Sequence, residues 1–168
     1  YQVYVLSVSL GILLRKNPNI ISITALDLSK QMLALAKNKV AKQKKGAVIT
    51  LKKGDAADSE LPDQNFDVIT MAFGIRNVPD VPKTLKEMYR VLVCNGRVII
   101  LEATLPENKF IKFIYSFYLK IFIPFIGGIF SKSFKAYNYF SQTVKSFSDS
   151  TDFCKQLEKA GFIAVKKT

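Results

Sequence analysis

Three acidic residues, Asp27, Asp55 and Glu102, each stand just beyond an apolar run, and a fourth such run ends in Phe73-Gly74-Ile75-Arg76-Asn77. Carboxylates in such places can accept hydrogen bonds from ligand hydroxyls, and a permanently charged arginine can stabilise an oxyanion or position water. The chain has no histidine. Serine–histidine and cysteine–histidine nucleophiles are therefore excluded, and the commonest metal ligand is missing. Cys94 and Cys154 are isolated and form no Cys-x-x-Cys spacing, so neither a disulfide framework nor a metal cluster is indicated. A reducing cytoplasm is the compartment that this cysteine usage implies.

These groups must be brought together by regular elements, and the apolar pattern shows which. Residues 1–14 are apolar but lack the basic start and small-residue cleavage site of a leader, and they are too short to span a bilayer; they read as a buried strand and turn. Residues 20–26 are an isoleucine-rich run that predicts a buried parallel strand ending at Asp27. Ser29 then caps a helix whose Met32, Ala36 and Val40 recur every four residues, with Leu33 widening the stripe. Residues 48–51 and 66–73 predict two more strands. Asp80 and Pro82 open a helix that places Leu85, Met88, Tyr89 and Leu92 on one face and ends at Asn95-Gly96. Residues 97–101 give a further strand, with Glu102 at its end.

Alternating strands and helices imply an α/β fold with a doubly wound, mostly parallel sheet. Ligands of such sheets bind beyond the carboxyl ends of the strands, where Asp27, Asp55, residues 73–77 and Glu102 would collect. Residues 109–140 break the rhythm: they are crowded with Phe, Tyr and Ile, broken by lysines, and interrupted by Pro124 and Gly127-Gly128. They read as an aromatic-rich lid or insert, or as a helical pair packed on the core. Residues 151–160 predict a helix using Phe153, Leu157 and Ala160, ended by Gly161, and residues 162–165 start another strand. The sheet is then expected to be incomplete at its C-terminal end.

With 168 residues, 49% of them hydrophobic, the chain suits one domain, residues 1–168. Its net charge of +12 favours anionic surroundings but does not choose among them. The lysines of residues 37–45 suit the solvated side of a helix better than a nucleic-acid patch, because interleaved aromatics and glycine–arginine runs are lacking.

In a nucleotide-binding strand–helix–strand unit, an acid about 20 residues beyond the first turn accepts hydrogen bonds from ribose hydroxyls, and Asp27 fits. The Asp55-Ala56 turn is placed to meet an adenine amine. NAD and S-adenosylmethionine both satisfy these features.

The phrases Phe66-Asp-Val-Ile-Thr-Met-Ala-Phe-Gly-Ile-Arg-Asn-Val78 and Leu85-Lys-Glu-Met-Tyr-Arg-Val-Leu92 separate the two. They resemble the signature phrases of the ubiquinone/menaquinone biosynthesis C-methyltransferases, a family of class I S-adenosylmethionine-dependent enzymes with a Rossmann-like fold. The likeness extends over nearly the whole chain, including residues 26–33, 54–56 and 152–162. It implies that Asp27 holds the ribose, that Asp55 and Ala56 border the adenine, and that Ala72 lies beside the cofactor. The family's acidic-glycine-threonine loop, counted back from Asp27, falls near residues 2–9, which read Gln-Val-Tyr-Val-Leu-Ser-Val-Ser. Ser7 falls at the family's threonine, while Gln2, Val5 and Leu6 depart from its acid and small residues.

The resemblance implies transfer of a methyl group from S-adenosylmethionine to a ring carbon of a prenylated quinol. Members with an Asn-Pro-Asn turn before the second strand, here Asn17-Pro18-Asn19, favour demethylmenaquinol over the ubiquinone-pathway equivalent. Removing a phenolic proton enriches the adjacent carbon, so the groups of interest are Arg76 and Asn77 for orienting the hydroxyl, Glu102 as a base, and Tyr137 or Tyr139 in the lid. The aromatics and lysines of residues 110–130 suit a prenyl tail and an anionic membrane surface, which implies a cytoplasmic enzyme working at the inner face of the membrane. A homo-oligomer is compatible with this reading, and nucleic acid is not a partner in it. The alternative is a non-catalytic remnant of such an enzyme that binds a membrane or a partner subunit.

Overall fold

The isoleucine- and valine-rich runs become adjacent strands of one parallel sheet. In a computed structural model of the protein, which describes residues 2–6, 19–41, 48–105, 108–122, 143 and 150–167, five strands pair. They are β1 (Gln2–Leu6), β2 (Ser22–Asp27), β3 (Val48–Lys53), β4 (Phe66–Ala72) and β5 (Leu92–Leu101). Their order is β3-β2-β1-β4-β5, and every pairing is parallel. The doubly wound sheet expected from the alternating pattern is present.

Helix α1 (Lys30–Ala41) joins β2 to β3, and α2 (Val81–Val91) joins β4 to β5. The two crossovers run in opposite directions from the centre of the sheet, so right-handed connections put α1 and α2 on opposite faces. Val3, Val5, Ile23 and Ala25 form a buried cluster against which Val40 of α1, Ile49, Leu51 and Val68 pack. Ser29 caps α1 as its sequence position predicts: its Oγ accepts from the Met32 amide at 3.3 Å. Asp80 caps α2 in the same way, accepting from the Lys83 amide at 2.9 Å, with Pro82 in the first turn.

Contacts divide the chain into two units, Tyr1–Glu102 with Gln156–Thr168, and Ala103–Lys155. The first holds the sheet. In the second, Asn108 caps α3 (Lys109–Phe117) by accepting from the amides of Phe110 and Ile111, and a π-helical turn follows at Tyr118–Phe122. Phe110, Phe113, Phe117 and Phe122 stay exposed, and the rings of Tyr115, Tyr118 and Phe122 stack in sequence. No helix among the described residues is long and apolar enough to cross a membrane. Helix α4 (Ser150–Lys159) ends in a left-handed Gly161, and the Phe162 amide reaches back to the Leu157 carbonyl at 3.2 Å.

Two expectations are corrected. Helix α2 stops at Val91 rather than at Asn95-Gly96: Leu92 follows Met88 by four residues and so reads as helical, but it is buried from an extended conformation and pairs with Phe66. The ladder then jumps to Val68 opposite Arg97, leaving a bulge on β5 in which Asn95 takes a φ of 64°. Residues 162–165 are not a strand either. Ala164 takes a φ of 54°, which breaks the extended run, and among the described residues no neighbouring strand receives it.

Candidate active site at the carboxyl edge of the sheet

A parallel sheet carries its site where the strand order reverses, here between β1 and β4. The registers align the carboxyl ends: Leu6 lies opposite both Leu26 and Met71, Asp27 opposite Lys53, and Ala72 opposite Leu101. Asp27, Asp55, residues 73–77 and Glu102 therefore emerge on one edge, as their positions after apolar runs predict.

Asp27 ends β2, and its Oδ1 accepts from the Ser29 amide at 2.8 Å. That bond turns the chain into α1 and orients the carboxylate, whose Oδ2 takes no partner among the described residues. Next to it Leu28 is 58% exposed, apolar surface beside an acceptor oxygen. A ribose hydroxyl and the flat base attached to it need this pair of features, so the residues fit an adenosine group.

Asp55 begins the turn after β3, its Oδ1 accepting from the Ala57 amide at 2.9 Å, with Ala56 and Ala57 buried beneath it. Gly54 packs closely on β2, a Cβ there standing 2.8 Å from Leu26 Cδ1. A polar cluster fixes the chain that follows. Ser59 donates from its amide and its hydroxyl to Glu87 Oε1 at 2.9 and 2.5 Å, and Arg90 bonds to Glu87, to the Leu61 carbonyl and to Asp63. The Arg90 guanidinium, reinforced by Ser59 and opposed by burial, holds the Glu87 carboxyl down from its ordinary 4.5 to about 2. Sequence reasoning used the phrase around Glu87 and Arg90 for its apolar helix face and as a family signature, and missed this tie; the three-residue spacing of opposite charges was the visible signal.

Ala72 closes β4, half-buried, and the 3-10 turn Ile75–Asn77 follows. Arg76 forms an ion pair with Glu102 in which the side chains are 8% and 4% exposed, and the Arg76 amide also points at Glu102 Oε2 at 3.4 Å. Glu102 is thus engaged as a tie to Arg76 rather than presented as an open base. Asn77 donates from Nδ2 to the Phe73 carbonyl at 3.2 Å. The structure brings Asp27, Asp55, Ala56, Ala72, Arg76 and Asn77 to one edge; Ser7, Tyr137 and Tyr139 lie outside the described residues.

The first five of the eight residues expected to hold the family's first loop are strand instead. Gln2–Leu6 is a strand, and Gln2 sits at its amino end opposite Ser22, where its amide donates to Asp67 at 2.7 Å. The departures at Gln2, Val5 and Leu6 therefore fall inside β1, and Val5 is buried sheet core. The residues that follow Leu6 at the carboxyl edge lie outside those described.

Residues 7–168 match the family model described as the ubiE/COQ5 methyltransferase family. Among curated relatives, a ubiquinone/menaquinone biosynthesis C-methyltransferase UbiE from Geotalea daltonii is 43% identical over 147 residues, covering 88% of this chain and 62% of its own. A demethylmenaquinone methyltransferase from Thermotoga maritima is 42% identical over 152 residues, covering 90% and 63%. The chain thus spans less than two thirds of the length of these relatives. Among solved structures, a SAM-dependent methyltransferase from Thermotoga maritima superposes with a TM-score of 0.62 at 23% identity, over 96% of this chain and 64% of that one. A SAM-dependent methyltransferase from Aquifex aeolicus gives 0.56 at 23%, over 64% and 59%. At such identities the likeness is one of fold.

Proposed function

The chain belongs to the ubiE/COQ5 methyltransferase family, and from that premise we propose that the protein uses S-adenosylmethionine to methylate a ring carbon of a prenylated quinol, demethylmenaquinol in the first place. The observation that carries this reading is the alignment of Asp27, Asp55 and the Phe73–Asn77 turn on the carboxyl edge of one parallel sheet. The cofactor supplies an electrophilic methyl group on a sulfonium. Asp27 accepts from the ribose, Asp55 and Ala56 border the adenine, and Ala72 stands beside the cofactor.

Arg76 and Asn77 serve the substrate side. A ring carbon is a poor nucleophile until the neighbouring hydroxyl gives up its proton to solvent, and the Arg76 guanidinium at this edge is a donor that suits the phenolate oxygen left behind. The Arg76–Glu102 pair, neutral as a whole, keeps that donor in one place, since the guanidinium is pinned by a carboxylate just past the end of β5. The protein acts in the cytoplasm at the inner membrane face. The exposed phenylalanines of α3, interleaved with Lys109 and Lys112, suit the acyl region and the anionic headgroups of such a surface.

The test is transfer of a labelled methyl group from S-adenosylmethionine to a short-tailed demethylmenaquinol by the full-length protein. Label on a ring carbon of the quinol is expected. Label on oxygen, or no transfer while cofactor is bound, contradicts the reading.

A further inference from the structure

Five described residues other than glycine take a positive φ, and Phe73, at 54°, is the only aromatic one. A bulky side chain in the left-handed region is strained, and such strain persists where the surroundings hold it. Here they do: the Phe73 amide donates to the Leu101 carbonyl at 2.8 Å, and its carbonyl accepts from Asn77 Nδ2 at 3.2 Å. The ring gains no burial in exchange, remaining 48% exposed immediately beyond β4. Arg76 Cζ lies 5.8 Å from the ring centroid, so a cation held by Glu102 supports the ring.

We propose that Phe73 is a specificity-determining platform on which the substrate's quinol ring stacks, with the buried Arg76–Glu102 pair as the group that positions it. The inference rests on the functional reading above and deepens it. Asp27 and Asp55 place the adenosine over the β2–β3 half of the edge, whereas Phe73 rises from the β4–β5 half, across the point where the strand order reverses. Shape also fits: a half-exposed aromatic ring offers an open face for offset stacking with a planar hydroquinone.

The experiment compares the full-length wild type with Phe73→Leu, Phe73→Gly and Phe73→Tyr. It measures the KM for a short-tailed demethylmenaquinol, the calorimetric Kd for S-adenosylmethionine, and the melting temperature. Losing the ring raises the quinol KM about 10-fold in the Leu and Gly variants, while the cofactor Kd stays within about 2-fold, below the effect of one lost hydrogen bond. Phe73→Tyr keeps the ring and holds the KM near the wild-type value. Phe73→Gly melts at or above the wild type, because glycine adopts this φ without strain, so the change in KM is not a folding defect. An unchanged quinol KM in both ring-less variants overturns the platform, as does a cofactor Kd that rises in parallel, which would assign the ring to adenine. A wild type that binds cofactor and methylates no quinol contradicts the functional reading, and the platform falls with it.

Discussion

Arg76 and Glu102 are charges with little water around them, 8% and 4% exposed, at the edge where a ligand is expected. Removing one partner of a buried pair strands the other, so Arg76→Ala should lower unfolding free energy by about 3–5 kcal/mol. Urea titration reads this directly. Glu87 makes a second prediction, set by pH. Its carboxyl is held at about 2 in the folded protein against an ordinary 4.5, so its contribution is complete above about 4.5 and is lost as pH falls from there towards 2. In Glu87→Gln the stability should fall less steeply across that window, measured by melting temperature against pH; parallel profiles would contradict the assignment. The positions of Asp27 and Asp55 were legible because a carboxylate just past an apolar run must emerge at a strand end. The tie from Glu87 to Ser59 was not, because it joins residues 28 apart in sequence through a fold that composition does not specify.

Between residues and molecule stand the strands, whose apolar runs needed little context: residues 20–26 and 48–51 were legible as β2 and β3 because each is short, β-branched and bounded by polar residues. The α2–β5 junction was not legible, since Leu92 satisfies the helical spacing and only pairing with Phe66 draws it into a strand. Residues 162–165 failed for the related reason that an extended run becomes a strand only beside a partner. The bulge on β5 yields a prediction of its own. A Cβ on Gly96 would stand 2.6 Å from Leu92 Cγ and 2.9 Å from the Val93 carbonyl oxygen, which is backbone and cannot step aside. On Gly54 it would meet only the end of the Leu26 side chain, at 2.8 Å. Gly96→Ala should therefore destabilise by about 1–3 kcal/mol and by more than Gly54→Ala. Paired thermal melts decide the order, and equal losses would mean that the junction relaxes freely.

For the molecule as a whole, the order β3-β2-β1-β4-β5 turns scattered sequence positions into one edge, and the family match over residues 7–168 supports the chemistry proposed for it. The resemblance carried by residues 66–78 and 85–92 pointed to the family. Residues 2–6, expected as part of a loop, are a strand instead, because counting back from Asp27 cannot tell the length of a loop from that of a strand. The central claim is that this edge binds S-adenosylmethionine through Asp27. Calorimetric titration of the full-length wild type beside Asp27→Ala tests it most directly. Saturable binding by the wild type, weakened about 10- to 100-fold in a variant that stays folded and whose melting temperature falls only by the loss of the Asp27–Ser29 turn bond, is the expected result, since a charged hydrogen bond contributes on that scale. Equal affinities, or no binding by a folded wild type, would contradict it.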